Sequence, residues 1–339
     1  MIYKYGKEYG GLKDIKKDFY VLNEQLLNER NKVAAVYKQQ PLRRECKLCG
    51  KNLSDNAISF CSHSVEYLIC ENCGHINGRF EDTSEFSKYV YCDQSYGSTY
   101  SEENRVEYNK RMETIYIPKV DFLMESLREK DMRILDIGAG SGYFCAAALK
   151  RGLDIKGVEI SKQQVKFANQ MIGETVLQAI TSEQTVEYLR NTDRNVVSAI
   201  GVLEHVYNLR EILHTIYCND NIEYLYFSVP LFSLSVFAEM AFQNGFNRQL
   251  GGGHTHLFTD SSIAYMNSEF GFDIVGQWRF GTDVMDLYRF LMINLSEQRE
   301  EIKDLFSEKF LQCADSIQMV LDQKHFCSEV HMLVSINRR

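Results

Sequence analysis

Proline is scarce in this chain: three residues in 339, which leaves no proline-rich linker to divide it. Long apolar runs are missing too. No stretch approaches the roughly 20 residues that a membrane-spanning helix needs, and the opening Met-Ile-Tyr-Lys-Tyr-Gly-Lys lacks the apolar core of a secretion signal. Membrane association is therefore not expected. Nor is there an excess of basic residues, since the formal net charge is −8. Nucleic-acid binders depend on neutralising phosphates, so this balance argues against such a partner. Evenly placed disulfide cysteines are also absent. Of ten cysteines, four have metal-ligand spacing and the rest are scattered, which points to a reducing, cytoplasmic setting.

What is present is enough for a large core. The chain is 45% hydrophobic and 25% charged, consistent with one big domain plus appendages. That domain is organised around Arg133-Ile-Leu-Asp-Ile-Gly-Ala-Gly-Ser-Gly-Tyr143. The segment reads as a buried strand, a glycine-rich turn and the start of a helix. Gly138, Gly140 and Gly142 let the backbone turn sharply and approach a ligand with no Cβ in the way. Apolar alternation resumes at Leu153 and ends on Glu159, 21 residues after the first glycine. An acid at the end of the second strand of a βαβ unit is placed to take both hydroxyls of a ribose, so an adenosine-type cofactor is expected.

Around this unit the chain falls into segments. Residues 1–40 include an amphipathic helix from about 11 to 40, with Leu12, Ile15, Phe19, Leu22, Leu26, Val33 and Val36 at three- and four-residue steps and Pro41 closing it. It either docks on its own domain or forms a seam between two subunits of a homodimer. Residues 41–88 carry Cys46-x2-Cys49 and, twenty residues further on, Cys70-x2-Cys73. Two such knuckles predict a four-cysteine Zn2+ site. With no open coordination position it would be structural. Cys61, His63, His75 and Cys92 are nearby but lack paired spacing. Residues 89–130 begin with a tyrosine-rich, turn-rich segment, followed by a helix that carries Pro118. The segment is a connector or a lid, with Tyr96 and Tyr100 as candidate substrate contacts.

Residues 131–339 alternate strands and helices at the pitch of a mostly parallel, doubly wound α/β sheet, with insertions at 231–258 and 281–327. Ligands in such sheets bind at the carboxyl ends of the strands. Gly138–Gly142, Glu159 and the Leu203-Glu204-His205 run after the fourth strand should share that rim. His254 and His256, in the second half of the first insertion, are expected at the pocket mouth.

The glycine spacing is G-x-G-x-G, preceded by Asp136, and not the G-x-G-x-x-G of dinucleotide folds. This motif, Glu159 and Gly201-Val-Leu-Glu-His-Val resemble class I S-adenosylmethionine (SAM)-dependent methyltransferases. With His254-Thr-His-Leu-Phe-Thr and the zinc module in front, the chain is similar to bacterial sugar and small-metabolite methyltransferases, including nucleotide-sugar C-methyltransferases. It departs from the latter in its extra N-terminal helix and in lacking their large additional C-terminal domain. The resemblance implies a Rossmann-like, seven-stranded sheet. It implies that Gly138–Gly142 (with Ala139) hold the methionine part of SAM, that Glu159 holds the ribose, that Ala179 and Ile180 flank the adenine, that Leu203 lines the rim, and that Asp136, Tyr143 and Ile160 also belong to the cofactor site. It implies a small-molecule acceptor, a sugar or nucleotide-sugar. His205 is the expected general base, with Glu204 orienting it, and His254 and His256 are its competitors. An RNA-modifying enzyme gripping nucleic acid through the zinc module, or a non-catalytic SAM-binding scaffold, are the competing functions.

Overall fold

The computed structural model describes residues 1–7, 22–54, 56–90, 104–128, 131–251 and 253–338. In chain order, the elements begin with β1 (Ile2–Tyr5), α1 (Asn23–Tyr37), β2 (Ser59–Ser62), β3 (Val65–Ile69), β4 (Ile76–Gly78), α2 (Ser84–Lys88) and α3 (Arg105–Arg111). A π-helical turn, Met112–Tyr116, leads into α4 (Ile117–Leu127). Pro118 therefore sits in the first turn of α4, directly after the π-helical turn, where its missing N–H costs little. The α/β unit follows with β5 (Arg133–Ile137), α5 (Tyr143–Lys150), β6 (Asp154–Glu159), α6 (Lys162–Ile172), β7 (Leu177–Ala179), α7 (Ser182–Asn191), β8 (Val196–Ile200), α8 (Leu209–Cys218) and β9 (Tyr224–Pro230). The insertion supplies α9 (Leu234–Ala241) and β10 (His256–Leu257). The chain ends with α10 (Asp260–Glu269), β11 (Phe272–Phe280), α11 (Asp283–Asn294), α12 (Glu300–Gln323) and β12 (Glu329–Ile336).

The main sheet runs β1-β11-β12-β9-β8-β5-β6-β7. Strands β7, β6, β5, β8 and β9 are mutually parallel, and β12 inserts antiparallel between β9 and β11. The expected α/β class holds, with one correction. The sheet has eight strands, because the first residues of the chain pair parallel with β11 at Ile2–Gly276 through Tyr5–Arg279. A four-residue strand whose partner lies some 270 residues away leaves no periodic trace.

The cysteine segment builds a second, antiparallel sheet, β10-β4-β3-β2. Its last strand comes from the other end of the molecule, with His256 opposite Asn77 and Leu257 opposite Ile76. The expected boundary at residue 88 thus divides the sequence but not the fold. Helix α1 packs Ala34 and Tyr37 into the core of this second sheet with Val65, Tyr67 and Ile76. Asn23, at its start, bonds the backbone of Asn244 and Phe246 in the insertion. Ala34 and Tyr37 are buried within the chain, Leu26, Val33 and Val36 are half-buried, and Leu22 stays exposed. Residues 8–21, which carry the first half of that expected helix, lie outside the described residues.

Candidate active site

The strand ends of β5, β6, β8, β9 and β12 open onto one cavity of about 460 Å³, within the range of small-molecule sites. Its first half is built from adjacent βα turns. Gly138, Gly140 and Gly142 all adopt left-handed backbone, with φ of 62°, 54° and 73°. At Gly138 a Cβ would lie 2.7 Å from Val202 Cγ2, and at Gly142 it would lie 2.7 Å from Ala168 Cβ. Only glycine fits both the turn and the packing. Glu159, at the end of β6, accepts hydrogen bonds from Gly140 N (2.9 Å) and Ser161 N (2.9 Å), one on each carboxylate oxygen. A carboxylate has about four acceptor sites, so each oxygen keeps a lone pair for a diol. Burial raises the Glu159 pKa, and these backbone bonds oppose it. Asp136 has both oxygens engaged, by Ser198 Oγ at 2.6 Å and Cys145 Sγ at 3.6 Å, and burial pushes it up to about 7.

Among the cofactor candidates, Asp136, Gly138, Ala139, Gly140, Tyr143, Glu159, Ile160 and Ile180 line the cavity. Leu203, Gly142 and Ala179 do not: Leu203 is fully buried in the core and Val202 faces the cavity in its place. An aromatic stack that the sequence did not reveal backs the glycine loop. Tyr143 stacks on Tyr108 (4.4 Å between centroids) and Tyr116 (5.2 Å), and Tyr108 donates to Ser141 O at 3.1 Å.

The second half is assembled from distant segments. Glu204 and His205 follow β8, and His254 arrives from the insertion, its ring centroid 4.7 Å from that of His205. His205 Nε2 lies 3.9 Å from Glu204 Oε1. His205 Nδ1 bonds Gly253 O (3.1 Å) and His254 Nδ1 bonds Gln249 O (2.8 Å). A carbonyl only accepts, so both Nδ1 atoms carry the proton and both Nε2 atoms carry the lone pair. Burial holds both rings neutral, His205 well below the usual histidine range and His254 at about 4. Burial also raises the Glu204 carboxyl to about 8.

Further charged groups complete this half, none with a local signature in sequence. Lys119 of α4 lies 3.8 Å from Glu329 Oε1 of β12. His331 Nε2 bonds the same oxygen at 2.8 Å, and Tyr226 links His331 back to Lys119 O. Burial acts to raise the Glu329 pKa, but the cations around it hold it well below the carboxylate range. Arg248 bonds Asp286 Oδ1 (2.8 Å) and Thr282 Oγ1 (2.8 Å).

The loop carrying His254 is clamped from two sides. The buried Glu239 carboxylate of α9 accepts three successive backbone N–H groups, from Arg248, Gln249 and Leu250. From the cysteine-bearing sheet, Tyr67 OH accepts from Gly251 N (2.6 Å) and donates to His254 O (3.2 Å), while Thr255 Oγ1 bonds Asp82. The two insertion histidines part company here. His254 lines the cavity. His256 lies outside its lining, buried in β10 with its Nδ1 2.9 Å from His75 Nε2. Tyr96 and Tyr100 lie outside the described residues.

Cys46, Cys49, Cys70 and Cys73 converge with their sulfurs within 4.8 Å of one another. The Cys46–Cys73 and Cys49–Cys70 distances are both 3.6 Å, close to the roughly 3.8 Å expected for tetrahedral Zn–S bonds of about 2.3 Å. Gly50 and Gly74 take left-handed φ of 68° and 72° and return their N–H groups to Cys46 O and Cys70 O. Asn77 Nδ2 donates to Cys46 Sγ at 3.5 Å. The donor set fits a structural Zn2+.

A doubly wound sheet with a glycine turn, a diol-ready acid and a polar chamber on one rim defines a class of nucleoside-cofactor enzymes. The chain belongs to a methyltransferase-domain family, whose model matches residues 108–277, half of its length. At that level it is a SAM-dependent methyltransferase domain. Over 85 residues it is 29% identical to the ubiquinone biosynthesis O-methyltransferase of Alkalilimnicola ehrlichii, covering 24% of this chain and 34% of the relative. Over 91 residues it is 30% identical to a probable fatty acid methyltransferase of Mycobacterium tuberculosis, covering 26% and 21%. The chain thus spans about a third or less of the curated relatives it matches. Similar solved structures include a SAM-dependent methyltransferase from Archaeoglobus fulgidus (16% identity, TM-score 0.43, covering 71% of this chain and 99% of that one). Another is magnesium protoporphyrin IX methyltransferase from Synechocystis with bound S-adenosylhomocysteine (12%, TM-score 0.46, covering 75% and 99%). Among the described residues no helix is long and apolar enough to cross a membrane.

Proposed function

We propose that this protein transfers a methyl group from SAM to a small-molecule acceptor, a sugar or nucleotide-sugar, with His205 as the general base and a structural zinc at the four cysteines. The observation that carries the reading is the shared cavity: the Gly138–Gly140 turn and the Glu159 carboxylate face the same space as Glu204, His205 and His254. The names of the curated relatives, one in ubiquinone biosynthesis and one a fatty acid enzyme, support a small-molecule acceptor. The chamber beyond the cofactor half, with Lys119, Arg248, Glu329 and Ser328, suits a polar, hydroxyl-rich molecule better than an acyl chain.

SAM brings an already activated methyl group, so the protein mainly aligns acceptor and donor. Positioning supplies up to roughly 7–11 kcal/mol in the best cases. The Glu159 lone pairs hold the ribose and the glycine turn admits the methionine tail. The acceptor O–H would give its proton to His205 Nε2 as its oxygen takes the methyl that bound SAM would supply, the S–C pair being left on sulfur. The Nδ1–H bond to Gly253 O fixes the tautomer this requires. The test is incubation with labelled SAM and a panel of nucleotide-sugars, quinols and fatty acids, read by mass spectrometry. Label in a nucleotide-sugar is the expected outcome. Label confined to the lipids would overturn the acceptor class.

A further inference from the structure

The base assigned to His205 sits in a cluster with more capacity than one proton transfer needs. Glu204, His205 and His254 each place a donor atom within 4.8 Å of the others, at the acceptor side of the cavity. Glu204 is 4% exposed, and its Oε2 has no hydrogen-bond partner. A buried carboxyl oxygen without a partner is costly, and a cation taken up by this carboxyl, whose Oε1 lies 3.9 Å from His205 Nε2, would offset that cost. Both imidazoles are oriented as ligating histidines usually are: the far nitrogen donates to a backbone carbonyl, Gly253 O for His205 and Gln249 O for His254, which leaves Nε2 as the basic atom. Of the neighbouring cations, Arg248 is paired with Asp286 and Lys119 with Glu329, while Arg30 also acts on both imidazoles and must be offset by the Glu204 carboxylate.

We propose that Glu204, His205 and His254 form a second metal site, for a divalent first-row transition cation, distinct from the four cysteines. Two imidazoles and one carboxylate suit Mn2+, Fe2+, Co2+ or Zn2+ and leave coordination positions open for substrate. Donors held at about 2.1 Å stand roughly 3 Å apart around an ion, so the three side chains close by less than about 2 Å on binding. The open positions take the acceptor hydroxyl. Its oxygen coordinates the cation, the O–H proton passes to water, the oxygen bonds the methyl carbon, and the S–C pair stays on sulfur with the cation unchanged in oxidation state. This rests on the methyl-transfer reading above and gives the cation the role assigned there to the His205 imidazole.

The experiment uses the full chain with its zinc in place. Mn2+ is titrated in and followed by calorimetry and electron paramagnetic resonance. One Mn2+ per chain is expected, with imidazole nitrogen couplings in the pulsed spectrum, a signature that needs no variant. Glu204→Gln and His254→Ala should each weaken Mn2+ by at least roughly 100-fold, beyond what even outer partners of a metal ligand cost, while SAM binding stays unchanged. Absence of Mn2+ binding, absence of nitrogen couplings, or binding indifferent to both variants would overturn the metal site. Methyl transfer that survives EDTA with zinc retained would overturn it too and return the base to His205. Mn2+ bound as expected with no acceptor methylated would instead count against the methyl-transfer reading alone.

Discussion

The two halves of the cavity are built in opposite ways. The cofactor half is contiguous: β5, its glycine turn, α5 and the acid closing β6 span residues 133–159, and each part is held mainly by its sequence neighbours. The acceptor half is stitched from residues near 119, 204, 248–254 and 329, and the His254 loop is clamped by Tyr67 and Asp82 of the cysteine-bearing sheet. A local unit keeps its geometry when remote parts fail. A composite one inherits the stability of every element that braces it. The cysteine-bearing segment braces the acceptor side through β10 and Tyr67 and is not a separate attachment.

The sharpest way to break that contrast is to remove the metal. Structural zinc is worth roughly 10–16 kcal/mol in small modules, so Cys49→Ser should give the largest effect of any single change. Methyl transfer should disappear and the first thermal transition should fall by more than about 10 °C, while SAM binding measured by calorimetry survives at low temperature. If SAM binding is lost together with turnover, the two halves are one cooperative unit and the distinction fails. Next in size is Gly138→Val, aimed at the local half. Its Cβ would meet Val202 Cγ2 at 2.7 Å, on a backbone with φ of 62°. Strain and overpacking of about 2–5 kcal/mol should reduce SAM affinity by roughly 30-fold or more. The two Cys–Cys pairs should still bind zinc with the wild-type stoichiometry.

His205→Ala isolates the acceptor half without touching its scaffold. Removing a proton-transfer or acceptor-activating group costs about 10²–10⁴-fold in turnover, and the SAM dissociation constant should stay within a factor of two or three. A proportionate loss of SAM affinity would mean that the His205–Gly253 contact organises the whole cavity. Asp136 probes the local half by pH. Its folded pKa of about 7 lies above the ordinary 3.8. Between those values the folded protein keeps a proton that the unfolded chain has released, so stability falls as pH rises from 3.8 to about 7 and is level beyond. The slope amounts to at most about 4 kcal/mol over that window. Asp136→Asn should flatten it, checked by urea midpoints at pH 5 and pH 8.

What could be read from sequence follows the same division. The glycine turn, Glu159 and the paired cysteines announce themselves because their chemistry requires fixed spacing over a few residues. Glu204 and His205 were legible as rim residues for a related reason: they directly follow the strand that delivers them. The eighth strand was not, nor were Lys119, Glu329 and Arg248, because a pairing such as Lys119 with Glu329 spans 210 residues and neither partner carries a local pattern. His254 and His256 look equivalent at i and i+2. They diverge because the two-residue strand β10 begins at His256 and draws it to His75, leaving His254 on the loop.

The smallest effect comes from Glu159→Gln, and it tests whether the local half recognises a diol through charge. The carboxylate keeps one lone pair on each oxygen after accepting from Gly140 N and Ser161 N. A glutamine keeps one acceptor oxygen and turns an NH2 toward one of those two donors, so one backbone N–H loses its acceptor and one ribose hydroxyl exchanges a charged acceptor for a neutral donor. Hydrogen bonds to a charged group are worth about 1.5–3 kcal/mol, which corresponds to a SAM dissociation constant roughly 10- to 150-fold weaker. Burial raises the Glu159 pKa above its usual value. Wild-type affinity should therefore fall as pH drops through that raised pKa, when the carboxylate takes up a proton and loses an acceptor site. The Gln variant should show no such fall. Equal pH dependence in the two proteins would place the ribose contact elsewhere on the rim, and the glycine turn would then be the one local feature that the cofactor reads.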